Sequence, residues 1–136
     1  MEGSRLCIAV IDDDESVRKA LGRLLRAANL GAETFASGRE FLDSLSSHVP
    51  DCIVLDLHMP GMNGLDVQHQ LSRSGLQVPV VVITGHDEPQ ARADCRSAGA
   101  ATYLLKPLDD EVLLDAVHQA AGGARSPDSL SRPASR

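Results

Sequence analysis

Residues able to do chemistry follow four short apolar runs of this sequence. They are Asp12 and Asp13, then Asp56, Thr84 and Lys106. Carboxylates held close together repel one another unless a cation lies between them or a pKa rises. Mg²⁺ takes oxygen ligands and needs only one or two carboxylates when a phosphate supplies others. A lysine ammonium and a threonine hydroxyl suit phosphoryl oxygens. The set therefore predicts phosphoryl transfer, in which catalysis is mostly positioning and charge neutralisation.

The elements that must position these residues are short strands separated by helical patterns. The apolar runs are too short for helices and several are rich in β-branched residues: Leu6–Ile11, Ala32–Phe35, Cys52–Leu55, Val78–Ile83 and Thr102–Leu105. Alternation of strand and helix predicts an α/β fold with right-handed crossovers. We expect a flavodoxin-like, doubly wound (βα)5 domain whose parallel sheet has the order 2-1-3-4-5. That order brings the polar strand ends to one cleft beside strands 1 and 3.

Helices are predicted between and after the strands. The first and last have one apolar face each, formed by Val17, Leu21, Leu24, Leu25 and Ala28, and by Leu108, Val112, Ala116, Val117 and Ala120. The segments 39–46 and 65–73 are shorter. The segment 89–98 has only a thin face of Ala and Cys, which fits either a movable element or a small surface helix. Asp14 is expected at the start of the first helix, where Ser16 could share the capping.

Composition limits the remaining classes of function. The 136 residues suffice for one domain, and 43% are hydrophobic with no Trp, one Tyr and two Phe, so the core is aliphatic. A net charge of −6 argues against a broad nucleic-acid-binding surface. The sequence shows neither a signal peptide nor a membrane span, and a cytoplasmic location is expected. We expect the domain over 1–121 and a flexible tail or interdomain linker over 122–136.

The cysteines and histidines predict neither disulfides nor zinc. Cys7, Cys52 and Cys95 are odd in number and lack C-x-x-C spacing. Cys7 and Cys52 lie in apolar runs and are expected to be small buried hydrophobes. The five His residues have no i,i+4 pairs and no Cys companions, so the spacing gives no zinc site.

The motifs together resemble a known family. They are Asp12-Asp13, the segment Asp56-Leu57-His58-Met59-Pro60-Gly61-Met62-Asn63-Gly64, Thr84-Gly85 and Lys106-Pro107. With them the sequence resembles the receiver domains of two-component response regulators, the CheY-like superfamily, over roughly residues 5–121. The resemblance implies that Asp56 is the phosphoacceptor, forming an aspartyl phosphate with the phosphohistidine of a cognate histidine kinase as donor.

The resemblance also implies a Mg²⁺ cofactor. Asp13 and Asp56 would bind the ion directly, the backbone carbonyl of His58 would be a third protein ligand, and Asp12 would act through water. Thr84 and Lys106 would bind the phosphoryl group, and the Lys106–Pro107 peptide bond would be cis.

Three further residues have roles that the sequence leaves open. The family couples Thr84 to an aromatic residue, here Tyr103, on the face formed by helix 4, strand 5 and helix 5, through which a phosphorylated homodimer would form; Tyr103 could equally be a plain strand aromatic. His58 and His86 would tune dephosphorylation by gating water, or are ordinary loop histidines.

Rival functions account for fewer of the motifs. A flavin or dinucleotide site is disfavoured because the first loop is acidic. A small Mg²⁺-dependent phosphatase of the haloacid-dehalogenase type could use Asp12 as nucleophile with Asp14, but it leaves Asp56 unexplained. A scaffold that never carries phosphate leaves the reactive residues without a role. We expect no enzyme beyond self-phosphorylation and autodephosphorylation, and no membrane or nucleic-acid partner for this domain. Residues 84–86 resemble receivers attached to LuxR-type helix-turn-helix domains, which favours transcriptional output.

Overall fold

The fold is a parallel β-sheet with helices on both faces, and our computed structural model describes residues 5–125 of it. The strands are β1 (Cys7–Ile11), β2 (Gly31–Phe35), β3 (Cys52–Asp56), β4 (Val80–Thr84) and β5 (Ala100–Leu105). The helices are α1 (Glu15–Ala27), α2 (Gly38–Ser44), α3 (Gly64–Ser74), α4 (Pro89–Ser97) and α5 (Asp110–Arg125). The sheet order is β2-β1-β3-β4-β5, which confirms the predicted flavodoxin-like fold.

The core is aliphatic and lies on both faces of the sheet. One cluster joins β1 and β3 to α1 and α5, with Leu25 and Leu113 fully buried. The other packs α2, α3 and α4 on the opposite face, around Phe41 and Val67. All five residues of β3 and of β4 are buried. Strands buried on both faces read as continuous apolar runs, which is why they were visible in the sequence.

The three central strands end level with one another. Ile11 pairs with Leu55, and Leu55 pairs with Val82. The residues that follow each of these strands therefore lie at the same end of the sheet, where the strands have their carboxyl ends. Side chains that come after β1 and at the ends of β3 and β4 must share this end.

The helix ends differ in how firmly they are fixed. Asp14 caps α1, because its Oδ1 accepts the backbone N–H groups of Ser16 at 2.9 Å and Val17 at 3.4 Å. The Ser16 hydroxyl donates to the same oxygen at 2.7 Å, so Ser16 supports the cap rather than forming it. No side-chain hydrogen bond caps the start of α4, and within that helix only Cys95 is buried. A helix with so little buried surface is weakly docked.

Two details of α5 differ from the sequence prediction. Val112 is half exposed, and the buried stripe of the helix runs through Leu113, Ala116 and Val117. Val112 lies one position, about 100°, away from that stripe. The helix also continues past position 121 to Arg125, and the remainder of the predicted tail lies outside the described residues. In the described chain, no helix combines the length and the apolar character that crossing a bilayer requires.

Candidate functional site

Asp12 is the most firmly held residue at the carboxyl edge of the sheet. It directly follows β1, its side chain is fully buried, and its backbone N–H donates to the Phe35 carbonyl at 3.1 Å. Its Oδ1 accepts the backbone N–H of Asp14 at 2.9 Å. Arg18 Nη1 donates to the Asp12 carbonyl oxygen at 2.8 Å, a contact that no sequence motif indicated. Asp12 is therefore fixed in position by main-chain and side-chain contacts.

Asp56 and Lys106 meet beside Asp12. Asp56 is the last residue of β3 and is only 3% exposed. Lys106 Nζ lies 3.0 Å from Asp12 Oδ2 and 3.4 Å from Asp56 Oδ1. The Lys106 backbone N–H donates to the Thr84 carbonyl at 2.8 Å, and the Lys106–Pro107 peptide bond is cis. One ammonium thus contacts two carboxylates that come from different strands.

The loop after β3 packs directly against the main chain of Asp56. A Cβ atom built on Gly64 would lie 2.7 Å from the Asp56 carbonyl oxygen and 2.9 Å from Leu57 Cα, too close for any side chain. The Gly64 N–H donates to the Leu57 carbonyl at 2.9 Å. The start of α3 is therefore held against the end of β3, which fixes the main chain on the C-terminal side of Asp56.

Burial and charge control protonation at the site. Burial, and after it the nearby Asp12 carboxylate, together raise the pKa of the Asp56 carboxyl to about 6, although Lys106 opposes both. Burial opposes the charge of Lys106, but its hydrogen bond to Asp12 and the negative charge of Asp56 outweigh this and raise the pKa of the ammonium. Lys106 therefore stays charged, while Asp56 carries an unfavourable negative charge.

Three carboxylates form an all-oxygen cluster. Ligand oxygens of Asp12, Asp13 and Asp56 all lie within 4.8 Å of one another, with Asp13 exposed and the other two buried. Lys106 brings one positive charge to three carboxylates. The donor set fits Mg²⁺, which prefers carboxylate oxygens and would neutralise the remaining charge. The structure thus brings together the three carboxylates that the sequence predicted for a metal site.

Thr84 and Tyr103 share one backbone carbonyl. The buried Thr84 hydroxyl donates to the His86 carbonyl at 3.2 Å and accepts the His86 N–H at 3.1 Å. The Tyr103 hydroxyl lies 3.5 Å from the same carbonyl oxygen. The Arg92 guanidinium of α4 lies 4.6 Å from the centre of the Tyr103 ring. Thr84 is thereby linked through His86 and Tyr103 to α4.

The side chains of His58 and His86 contact each other. Their rings are 5.5 Å apart between centroids and inclined at 79°, an edge-to-face contact. Both side chains are exposed and each follows a site residue by two positions in the chain, Asp56 and Thr84 respectively. The sequence singled out each histidine but gave no sign that the two rings touch.

A polar contact that no sequence motif indicated joins α3 to α4. Gln68 is 2% exposed, and its Nε2 donates to the Cys95 carbonyl at 3.1 Å. Its Oε1 is buried and has no hydrogen-bond partner among the described residues. The sequence does contain an indication of this contact. Gln68 occupies an apolar position of the helix, and a buried amide side chain needs a hydrogen-bond partner.

Comparison with known proteins gives consistent matches. A family model described as the response regulator receiver domain matches residues 8–118. Nodulation protein W of Bradyrhizobium diazoefficiens is 39% identical over 114 residues, which are 84% of this chain and 50% of that protein. The response regulator protein TodT of Pseudomonas putida is 39% identical over 113 residues, 83% of this chain and 50% of that protein. The chain therefore spans about half the length of these relatives.

Solved structures give the same result. The crystal structure of a response regulator receiver protein from Burkholderia phymatum has 45% sequence identity and a TM-score of 0.78. The match covers 87% of this chain and 96% of that chain. The likeness therefore extends over nearly the whole of that solved receiver protein.

Proposed function

The chain belongs to the response regulator receiver family, and we propose that it acts within this family by accepting a phosphoryl group on Asp56. The observation that carries the proposal is the placement of Asp56. Its carboxylate is buried at the end of β3, contacts Lys106 and lies in an oxygen cluster with Asp12 and Asp13. A fixed nucleophile, a cation-binding cluster and a positive charge are the parts that phosphoryl transfer needs.

The proposed donor is the phosphohistidine of a cognate histidine kinase, since receiver domains interact with these kinases. An Asp56 oxygen attacks phosphorus, the P–N bond breaks, a P–O bond forms, and the kinase imidazole leaves with the electron pair. Lys106 Nζ, already 3.4 Å from Asp56 Oδ1, would hold a phosphoryl oxygen. Bound Mg²⁺ supplies positive charge for the phosphoryl oxygens.

The oxygen cluster supports an assignment of ligands. We assign Asp13 and Asp56 as direct Mg²⁺ ligands, with the backbone carbonyl of His58 as a third and Asp12 acting through water. The contact of Asp12 with Lys106 fits the indirect role, since one of its oxygens is already occupied by the ammonium and the other by the Asp14 N–H. Asp13, which is exposed, is free to turn toward an ion.

Phosphorylation would switch the surface formed by α4, β5 and α5. The modification adds roughly −1.5 to −2 charge and three acceptor oxygens. Thr84 and Lys106 would move onto those oxygens, and two charge-assisted hydrogen bonds of about 1.5–3 kcal/mol each approach the roughly 5.5 kcal/mol that inverts a 1:99 equilibrium. Thr84 would then leave the His86 carbonyl that it shares with Tyr103. The weakly docked α4 is the element that responds.

The protein is a signalling domain rather than an ordinary enzyme. Its proposed chemistry is limited to self-phosphorylation from small phosphodonors and to autodephosphorylation. His58 and His86 would tune the second reaction by gating water, a role supported by the contact between their rings and by their positions two residues after Asp56 and Thr84.

The output proposed for the whole protein is control of transcription in the cytoplasm. The relatives are about twice as long as the matched segment, which leaves room in them for an output domain of the LuxR type. Residues 1–121 would be the receiver and 122–136 the tail or linker, into the first residues of which α5 continues. Exposed Leu105 on β5 and Val112 on α5 support a homodimer formed through α4, β5 and α5 after phosphorylation.

The haloacid-dehalogenase alternative is not favoured. That chemistry needs Asp12 as nucleophile and Asp14 as its partner acid. Asp14 is instead the N-cap of α1, and hydrogen bonds from the Ser16 side chain and backbone lower its pKa. An acid held in that cap points to a structural role rather than to proton transfer at Asp12.

Labelling with acetyl phosphate and Mg²⁺ tests the proposal. The protein should gain one hydroxylamine-labile phosphoryl group, and tandem mass spectrometry should place it on Asp56. Asp56→Asn keeps the size of the side chain but removes the anionic nucleophile, so it should abolish labelling. Asp115→Asn, an exposed acid on α5, is the matched control and should label normally. A phosphoryl group on Asp12, or normal labelling of Asp56→Asn, would refute the assignment.

A further inference from the structure

A second cluster of side chains of the types that bind metals lies near the amino ends of the strands, whereas Asp56 lies at their carboxyl ends. Ligand atoms of Cys7, Glu33 and His48 all lie within 4.8 Å of one another. Cys7 is the first residue of β1, whereas Asp12 follows the last. Five residue steps along the strand separate Cys7 from Asp12 by roughly 16 Å. The second cluster is therefore independent of the first.

Three separate elements of the fold build this cluster. Cys7 pairs with Gly31 and Ala9 pairs with Glu33, so Cys7 and Glu33 are diagonal neighbours on one face of the sheet. His48 follows α2, which covers that face, and its backbone N–H donates to the Ser44 carbonyl at 3.1 Å. These three residues are distant in sequence. A search for cysteines close to histidines along the chain therefore could not reveal that they lie together.

The accessibility of Cys7 separates it from the other cysteines. Cys52 and Cys95 are fully buried, as small hydrophobic residues usually are. Cys7 is only partly buried, and Glu33 and His48 beside it are exposed. The prediction that Cys7 is a buried hydrophobe is therefore wrong, because the residue keeps part of its surface exposed next to two exposed ligand side chains.

The surroundings of Cys7 favour a cation. Burial raises the pKa of its thiol, and the negative charges of Glu33 and Asp51 raise it further. Asp51 is held beside Cys7, because its Oδ2 accepts the Cys7 backbone N–H at 2.8 Å. The negative charges that disfavour a bare thiolate would stabilise a divalent cation at the same place, and metal binding would displace the thiol proton.

We propose that Cys7, Glu33 and His48 form a Zn²⁺ site, with the fourth tetrahedral position left to water. Thiolate, imidazole and carboxylate are the side-chain ligands that zinc takes in proteins. A thiolate and an imidazole select against Mg²⁺, which prefers oxygen ligands, so the two clusters would hold different ions at once. The Zn²⁺ site would join β1, β2 and the segment after α2.

Cobalt substitution tests this proposal on the tag-free chain of 136 residues. Co²⁺ added in saturating Mg²⁺ should produce a near-ultraviolet thiolate-to-cobalt band with a stoichiometry of one, and Zn²⁺ should abolish it by displacement. Cys7→Ser should remove the band. His48→Ala and Glu33→Gln change exposed side chains and should each weaken Co²⁺ binding by about tenfold or more.

Matched controls make the result decisive. His118→Ala, an exposed histidine on α5, should leave Co²⁺ affinity unchanged, and all three site variants should still be phosphorylated on Asp56. A band that persists in Cys7→Ser would overturn the proposal. Equal loss of affinity in His118→Ala and His48→Ala would also overturn it, since binding would then be nonspecific.

Discussion

The raised pKa of Asp56 predicts that its carboxylate destabilises the folded protein. Its pKa rises from an ordinary 3.8 to about 6, so the folded state binds a proton more tightly than the unfolded chain. Each pKa unit corresponds to about 1.4 kcal/mol, and the charged carboxylate therefore costs about 3 kcal/mol of folding free energy above pH 7. Asp56→Asn removes this charge at nearly constant shape, so it should be more stable than the wild type at pH 8 by up to that amount.

The direction in which stability changes with pH tests the same explanation. A carboxyl whose folded pKa is raised loses stability as pH rises through the window from the unfolded to the folded value, here between about pH 4 and 6. The advantage of Asp56→Asn should therefore shrink by about 1.4 kcal/mol between pH 8 and pH 5. Comparing variant with wild type at each pH cancels the other acids, which titrate in both.

Urea unfolding followed by circular dichroism measures this difference, with a chelator present to remove divalent cations. Adding Mg²⁺ at pH 8 should then stabilise the wild type more than the variant, because the ion neutralises the charge that Asn lacks. A variant no more stable than the wild type at pH 8, or an advantage independent of pH, would refute the reasoning that burial and Asp12 strain the Asp56 carboxylate.

Three further outcomes follow from the same site. Asp13→Ala should weaken Mg²⁺ binding by about tenfold or more in calorimetric titration while leaving the free energy of unfolding equal or higher, since it relieves carboxylate repulsion; unchanged affinity would remove Asp13 from the ligand set. Replacing His58 or His86 by Ala should change the rate of aspartyl-phosphate hydrolysis, measured as loss of label, far more than the extent of labelling. Equal decay rates in the wild type and both variants would show that the two histidines are ordinary loop residues. Beryllofluoride, a phosphoryl mimic, should shift amide NMR signals across residues 84–108, and Thr84→Ala should still accept phosphate but lose most of that shift; shifts confined to the contacts of the phosphoacceptor would contradict the switch.

The fold and the carboxylate cluster could be predicted because they depend on local patterns. Central strands buried on both faces appear as unbroken apolar runs, and the polar residue that ends each run is visible in the sequence. Parallel pairing then fixes where those ends meet. Asp12 and Asp56 come together for this reason, and no information about side-chain packing was needed.

The remaining features depend on register, packing and main-chain atoms, which leave no sequence pattern. Cys7 and Glu33 meet only because Ala9 pairs with Glu33, and a shift of one residue would place them on opposite faces. Thr84 and Tyr103 are linked by the carbonyl oxygen of His86, an atom that every residue type carries. Val112 fits the apolar period of α5, but the residues of the helix that pack into the core are those in line with Leu113.

The contact between Tyr103 and the His86 carbonyl can be followed by the intrinsic fluorescence of the protein. The chain has no tryptophan and a single tyrosine, so its intrinsic fluorescence comes from one ring. That ring lies under Arg92 of α4, with its hydroxyl beside the carbonyl that Thr84 also contacts. Emission from a tyrosine depends on the hydrogen bonding of its hydroxyl and on nearby charge. Stopped-flow mixing of the unlabelled protein with a phosphodonor can therefore test in real time whether this one contact rearranges.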